Sequence, residues 1–504
     1  MIIVSQINPK ALEVLNGNIK MSISSEIQRL QEAKKSINIA LLRRGIHIPS
    51  GDTLDKYAAL IDPITSGETI VYLDNPQGYL SFKFVTDGTV KWQNVKGDIE
   101  YSKNGGSTWT AFNGATVSAT TGDEIWFKGS LTGGCGANAE TRSSKFYTSG
   151  YFFASGNIQS LCGFYNTLQD YHFSYLFFKC SFLNIDENNK LLLPATKLAN
   201  NCYGYMFRGC ASLTTAPKLP ATTLANYCYE SMFQDCTSLT TAPELPATTL
   251  ADSCYSYMFQ GCASLTTAPE LPATTLANNC YGYMFQGCTS LTTAPELPAT
   301  TLANNCYYYM FQGCTSLTTA PELPATTLAN YCYESMFRGC TSLTTAPELP
   351  ATTLANRCYY SIFQGCTSLT TAPELPATTL ANYCYSSMFQ GCASLTTAPK
   401  LPVTTLANYC YESMFRECTS LTTAPELPAT TLANRCYYSI FRDCTSLNYI
   451  KAMFTTTPST SYMSNWVNGV ASSGTFVKNS AATWTSECGV STYPCNWAVE
   501  TASA

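Results

Sequence analysis

The chain has 504 residues, of which 45% are apolar and only 12% charged, about half the charged share of an ordinary soluble domain. A formal net charge of −5 argues against the basic stripe of a nucleic-acid binder. Two histidines, His47 and His172, leave almost no room for histidine catalysis or a histidine metal site. Walker A, HExxH, GxSxG and CxxC patterns are absent, so the chain reads as non-enzymatic, with no cofactor and no metal. No apolar run is long enough to span a membrane. Met1 to Val4 is too short for the apolar core of a signal peptide.

Residues 1–66 read as a helical module. Asn8-Pro9 starts a short helix that ends near Asn16-Gly17-Asn18. Ser25 with Gln28 forms a capping-box pattern. Ile23, Ile27, Leu30, Ile37 and Leu41 then mark one face of a helix that runs to Arg44 and closes at Gly45, with Lys34 interrupting the stripe. Thr53 caps a further helix over Leu54 to Asp62, stopped by Pro63. A small coiled coil and packing within the module both fit this spacing. Ala33, Lys34, Ile37, Ala40, Gly45, Ile48-Pro49, Leu54, Tyr57, Ala58 and Ile61 resemble a segment near the start of many phage tail and fibre proteins. That resemblance implies attachment to a virion appendage.

Residues 67–150 read as a small β-sandwich. Strand-like runs such as Leu80 to Phe84 and Glu124 to Phe127 alternate with turns at Asp87-Gly88, Asn104-Gly105-Gly106 and Asn113-Gly114. Trp92, Trp109 and Trp126 fall here and suggest an aromatic core. Trp109 could instead stack on a sugar.

Residues 151–190 read as an N-terminal cap with a divergent repeat, in which Phe177, Cys180 and Leu183 match Phe207, Cys210 and Leu213. Over 191–454, prolines from Pro194 to Pro428 recur every 26 residues, giving ten units. The consensus is L-P-A-T-T-L-A-N-x-C-Y-x-x-M-F-x-G-C-T-S-L-T-T-A-P-E. Such a unit cannot bury its own apolar residues, but a stack of them can. Leu213 to Ala216 is the one extended candidate, ended by Pro217. Leu224 to Cys236 reads as a turn with a short helix or 3-10 segment, with Met232, Phe233 and Leu224 inside. The stretch A-N-x-C-Y-x-x-M-F-x-G-C-T-S-L-T resembles the leucine-rich repeat of BspA-like surface proteins. The fold class is therefore expected to be mainly β, a right-handed leucine-rich-repeat solenoid behind a helical module and a sandwich. The resemblance implies a curved solenoid used for adhesion. Residues 455–504 read as the C-terminal cap. Asn465 to Val470 with Gly474-Thr475-Phe476 resembles the tail end of gut-bacterial BspA-like proteins.

Each unit carries two cysteines. They form either a disulfide framework or two ladders of buried thiols; a long stack needs no staples, which favours thiols. Cys488 and Cys495 can pair. The Asn after Ala is expected to bond the backbone of the neighbouring unit. The residue after Ala-Pro is Lys218, then Glu in the six units from Glu244 to Glu374, then Lys400 and Glu426; the six Glu form an acidic row, either a solvated edge or an attraction for Ca²⁺ or basic partners. Variation concentrates after Asn, after Cys-Tyr and after Phe, in an alphabet of Tyr, Ser, Asn, Gly and Arg suited to binding surfaces. The candidate binding residues are Tyr227, Glu230, Tyr308, Tyr309, Tyr331, Arg357, Tyr360, Tyr383, Tyr409, Arg435 and Tyr438. The expected function is adhesion or receptor binding, as a phage tail fibre component or as a bacterial cell-surface adhesin. The expected partners are a host cell-surface protein or glycan, and virion tail proteins through 1–66; a homotrimer is one compatible assembly. Nucleic acid and membrane insertion are not expected.

Overall fold

The computed structural model describes residues 78–93, 97–131, 143–164, 168–185, 190–455, 459–482, 488–489 and 492–502. The chain divides into a unit Met1–Gly78 and a unit Tyr79–Ala504. The helices expected over 1–66 lie outside the described residues. Among its described residues the second unit is mainly β and almost free of helix: thirteen strands, one 3-10 turn at Ile158–Leu161 and one short helix at Thr460–Met463.

Eight strands come first: β1 (Leu80–Phe84), β2 (Gly88–Gln93), β3 (Ile99–Ser102), β4 (Thr110–Ala111), β5 (Thr116–Ala119), β6 (Glu124–Gly129), β7 (Lys145–Ser149) and β8 (Phe152–Asn157). Two sheets result. One runs β5-β2-β7. The other contains β8-β1-β6-β3-β4, and also β9 (Leu183–Ile185) and β10 (Leu191–Leu192), which pair in parallel with β8. Phe146 on β7 lies 4.9 Å from Phe82 and 5.0 Å from Phe127 on the other sheet, measured between ring centroids. These rings and Trp92 fill the space between the sheets. Trp109 does not present an open sugar platform: the Lys128 ammonium sits 4.4 Å from its ring centroid and Tyr79 packs against it at 5.0 Å.

The 26-residue repeats stack in parallel on this base. Alternate amides along 201–209 donate to the next repeat, as in Tyr203 to the Cys228 carbonyl and Phe207 to the Met232 carbonyl. The amides between them donate three residues back, as in Cys202 to Ala199 and Met206 to Tyr203. Every amide from 201 to 210 is thereby satisfied without an α-helical bond. The result is a run of overlapping β-turns rather than the expected helix or 3-10 segment. Every second turn carries a residue with positive φ at its third position, here Asn201 (55°), Tyr205 (60°) and Gly209 (75°), as a type II turn requires.

The strand expected at Leu213 to Ala216 is also absent as a strand. Within this stretch a single residue bridges to the next repeat, Thr215 to Thr241 to Thr267 and onward to Thr397. Pro217 and its equivalents lack the N–H that would extend the ladder. Where Lys451 replaces that proline, a true strand forms: β11 (Tyr449–Ala452) pairs in parallel with β12 (Thr475–Lys478), and β12 with β13 (Ala498–Thr501).

Inside the stack, identical side chains lie over one another. Tyr203 to Tyr437 and Phe207 to Phe441 form two buried columns with ring centroids 5.5–6.0 Å apart in most steps. Phe177 extends the Phe column back to Phe146, and Trp466 receives it at the other end. Met232 and Phe233 are fully buried as expected, whereas Leu224 is only partly so. Asn226 donates its amide to the Asn200 carboxamide oxygen at 3.1 Å, and the same bond recurs up to Asn434 on Asn408.

All twenty cysteines of the array are buried and unbridged, as are Cys162 and Cys180; Cys488 and Cys495 form a disulfide. The second cysteine of each repeat donates its S–H to the phenylalanine carbonyl of the preceding repeat, Cys288 to Phe259 at 3.1 Å for example. Burial pushes the Cys288 thiol up to about 12, so it stays protonated and unreactive at neutral pH. Unreduced protein should therefore titrate more than about fifteen thiols after denaturation and almost none when native. Fewer than about five after denaturation would mean a disulfide-stapled array.

Candidate binding face on the repeats

The turn run places the variable residues in three neighbouring columns. The column of Asn201 and the column of Tyr205 have positive φ in every repeat, and the Gly204 column between them does not. Positive φ is the region where glycine is least strained. The Gly209 column follows that rule, with glycine in seven of ten repeats. The Asn201 and Tyr205 columns never use glycine. They hold Asn, Tyr, Ser and Arg at φ of 50–60°. A non-glycine residue in this region costs roughly 1 kcal/mol or more. These two columns retain side chains at a backbone cost, so the side chains matter.

The structure joins most of the candidate residues into one patch. Tyr308 and Tyr309 pack at 4.3 Å, and Tyr283 stacks on Tyr309 at 5.2 Å. Further along, the Arg357 guanidinium lies 5.4 Å from the Tyr331 ring, 4.3 Å from Tyr360 and 5.8 Å from Tyr383. Tyr383 stacks on Tyr409 at 4.3 Å. Arg435 then repeats the arrangement, 5.4 Å from Tyr409 and 4.0 Å from Tyr438. Tyr227 and Glu230 stand apart, nearer the N-terminal end of the array. Tyr227 is 40% exposed; Glu230 lies within hydrogen-bonding reach of Tyr205.

Two carboxylates complete the patch, and neither was among the candidates. Glu334 is 1% exposed and takes two bonds from Arg357, at 2.9 Å each. Glu412 accepts from Arg435 at 2.7 Å. Burial raises both carboxyls above the usual glutamate range, and the arginine beside each pulls it back. The sequence signal was available: a Glu in the Gly204 column followed 23 residues later by Arg in the Asn201 column. The same fork means that Arg357 is already engaged inside the protein. It cannot be replaced as a simple surface residue.

Tyr205, Tyr257 and Tyr283 were also missed, although they share the column of the candidate Tyr309; from Ser335 to Ser439 that column is Ser throughout. The residues after Phe form a fourth row in which carboxamides bond along the stack: Gln234 to Gln260, Gln286 and Gln312 in turn. The acidic row is exposed from Glu244 to Glu374. A shallow groove of about 420 Å³ runs beside Glu348 and Glu374. Among the described residues no three acidic, His or Cys side chains converge as metal ligands.

Residues 174–292, 252–370 and 353–465 match the BspA type leucine rich repeat region of six copies. Together these stretches cover more than half of the chain. The chain belongs to the BspA-type leucine-rich-repeat family. Repeats of the BspA type suggest an adhesin-like surface protein. No curated protein and no solved structure is significantly similar to it.

Proposed function

We propose that this BspA-type protein is a non-enzymatic receptor-binding protein, a phage tail fibre component whose repeats form a right-handed solenoid of ten coils. The tyrosine columns meet the host surface, and 1–66 joins the virion. The observation that carries the binding reading is the refusal of glycine in two positive-φ columns. Where these positions hold Tyr, Asn or Arg the side chain is at least partly exposed, and the backbone cost there is of the kind met at functional sites; where they hold Ser, as at Ser231 and Ser335, it is buried. Contacts repeated from coil to coil add avidity without a deep pocket. The virion reading is supported by the likeness of residues 33–61 to tail proteins. A second reading, a bacterial cell-surface adhesin, is equally compatible with the BspA-type repeats.

The test is binding of the purified chain to host cells. Replacing Tyr331, Tyr383 and Tyr409 by Asn should lower it at least about tenfold, since aromatic anchors each carry roughly 1–2 kcal/mol. The fold should persist, because Asn already occupies this column at Asn279 and Asn305 with the same φ. Unchanged binding by the folded triple variant would dismiss this face. Deleting 1–66 should leave cell binding intact and remove the protein from virions; retention in virions would dismiss the attachment role.

A further inference from the structure

The ring geometry limits what this face can hold. Tyr257 and Tyr283 stack at 4.4 Å with 9° between planes, Tyr283 and Tyr309 at 5.2 Å with 15°, and Tyr383 and Tyr409 at 4.3 Å with 12°. The rings lie face to face along the stack, so the solvent meets their edges and hydroxyls. Guanidinium groups cover further ring surface on Tyr331, Tyr360 and Tyr438. Open aromatic platforms are scarce; Tyr227, with 40% exposure and no ring partner among the described residues, is the exception.

Charge is also spent internally. Arg357 and Arg435 are held by Glu334 and Glu412, and Arg208, Arg416 and Arg442 lie within 4 Å of Asp235, Glu417 and Asp443. Apart from the half-buried Arg338 and Glu230, which make no ion pair within 4 Å among the described residues, what this face turns outward is a row of tyrosine edges. Tyr257, Tyr283 and Tyr308 lie within hydrogen-bonding reach in sequence, and Tyr308 reaches Glu334. Tyr383 reaches Tyr409 in the same way. A phenol has one donor and two acceptor positions, so each keeps capacity for a ligand.

We propose that the ligand of this face is a neutral, hydroxyl-rich glycan, held along its length by the tyrosine hydroxyls rather than by ring faces or ion pairs. The inference rests on the binding reading above and names its ligand class.

The experiment uses the full chain with immobilised neutral polysaccharides beside sulfated and uronic-acid ones. It compares wild type with the variant Tyr257→Phe, Tyr283→Phe, Tyr383→Phe and Tyr409→Phe. Phe keeps the stack and removes only the hydroxyl, so the melting curve serves as the fold control. Binding to a neutral polymer should fall at least about tenfold, because four hydrogen bonds are removed. It should change little between low and high salt, unlike an ionic contact. Wild-type strength in the Phe variant, or preference for the charged polymers with loss in salt, would overturn the proposal. A second arm treats host cells with periodate or with protease. Periodate should abolish binding. If only protease does, the ligand is a protein: the glycan proposal falls while the binding reading stands. If the wild type binds no cells at all, both fall.

Discussion

Removing residues 455–504 should open the last repeat to water and end cooperative unfolding of the array. The amides of Arg435, Tyr437, Ser439, Phe441 and Asp443 donate to carbonyls of Ser461, Tyr462, Ser464, Trp466 and Asn468. Trp466 is fully buried against Phe441, Phe454 and Phe476. Truncation strands these donors and uncovers the apolar end of the Phe and Tyr columns. With water taking the lost partner's place, each bond costs about 0.5–1.5 kcal/mol net, and uncovering the apolar columns adds about 25 cal/mol per Å², so the loss is several kcal/mol. Terminal repeats without a polar outer cap also self-associate. Hydrogen exchange of the 433–447 amides should rise sharply, and sedimentation should show oligomers. A monomer with unchanged exchange would mean that the last repeat closes by itself.

Arg357→Ser should be the most damaging single change on the binding face. It leaves the 1%-exposed Glu334 carboxylate without its fork. Breaking a buried pair from one side costs about 3 kcal/mol or more. The matching change at Arg435 should cost less, because Glu412 is 17% exposed and water can replace the guanidinium in part. The loss at Arg357 should depend on pH. Burial raises the Glu334 carboxyl above its ordinary value of 4.5, and Arg357 opposes that rise. A carboxyl raised in the folded state stabilises when protonated, and that contribution is lost as pH rises through its folded pKa. In the variant the opposing charge is gone. The deficit should therefore be full at neutral pH, shrink as pH falls through the variant's raised folded pKa, and have levelled off by pH 4.5. Denaturant titrations at the two pH values would measure it; an equal deficit at both would mean that Glu334 had relaxed into solvent.

Much of the fold was legible in the sequence because repetition is itself structural information. A 26-residue period in Pro, Cys, Phe and Leu means parallel stacking, and stacking brings like side chains into columns. The buried thiols, the Asn ladder and the Met-Phe interior all followed from that rule. The local conformation did not. Cys202-Tyr203, Met206-Phe207 and Cys210 recur every four residues, a spacing close to the 3.6 of a helix. The chain instead forms paired turns of four residues, with positive φ at every fourth. Nothing within a single repeat separates these alternatives. The decision belongs to the neighbouring repeat, which accepts every second amide. The strand failed for a plainer reason, since Pro217 removes the donor that would extend it.

The binding columns divide in the same way. The sequence determined where the variable residues lie and that Tyr and Arg dominate them. Only the tertiary structure decided that Arg357 serves Glu334, and that the tyrosines turn their edges outward. A column's spacing is fixed by the stack, but the direction of each ring depends on what stands one repeat above and below. That information is 23 to 26 residues away in the chain and becomes adjacent only once the repeats are stacked.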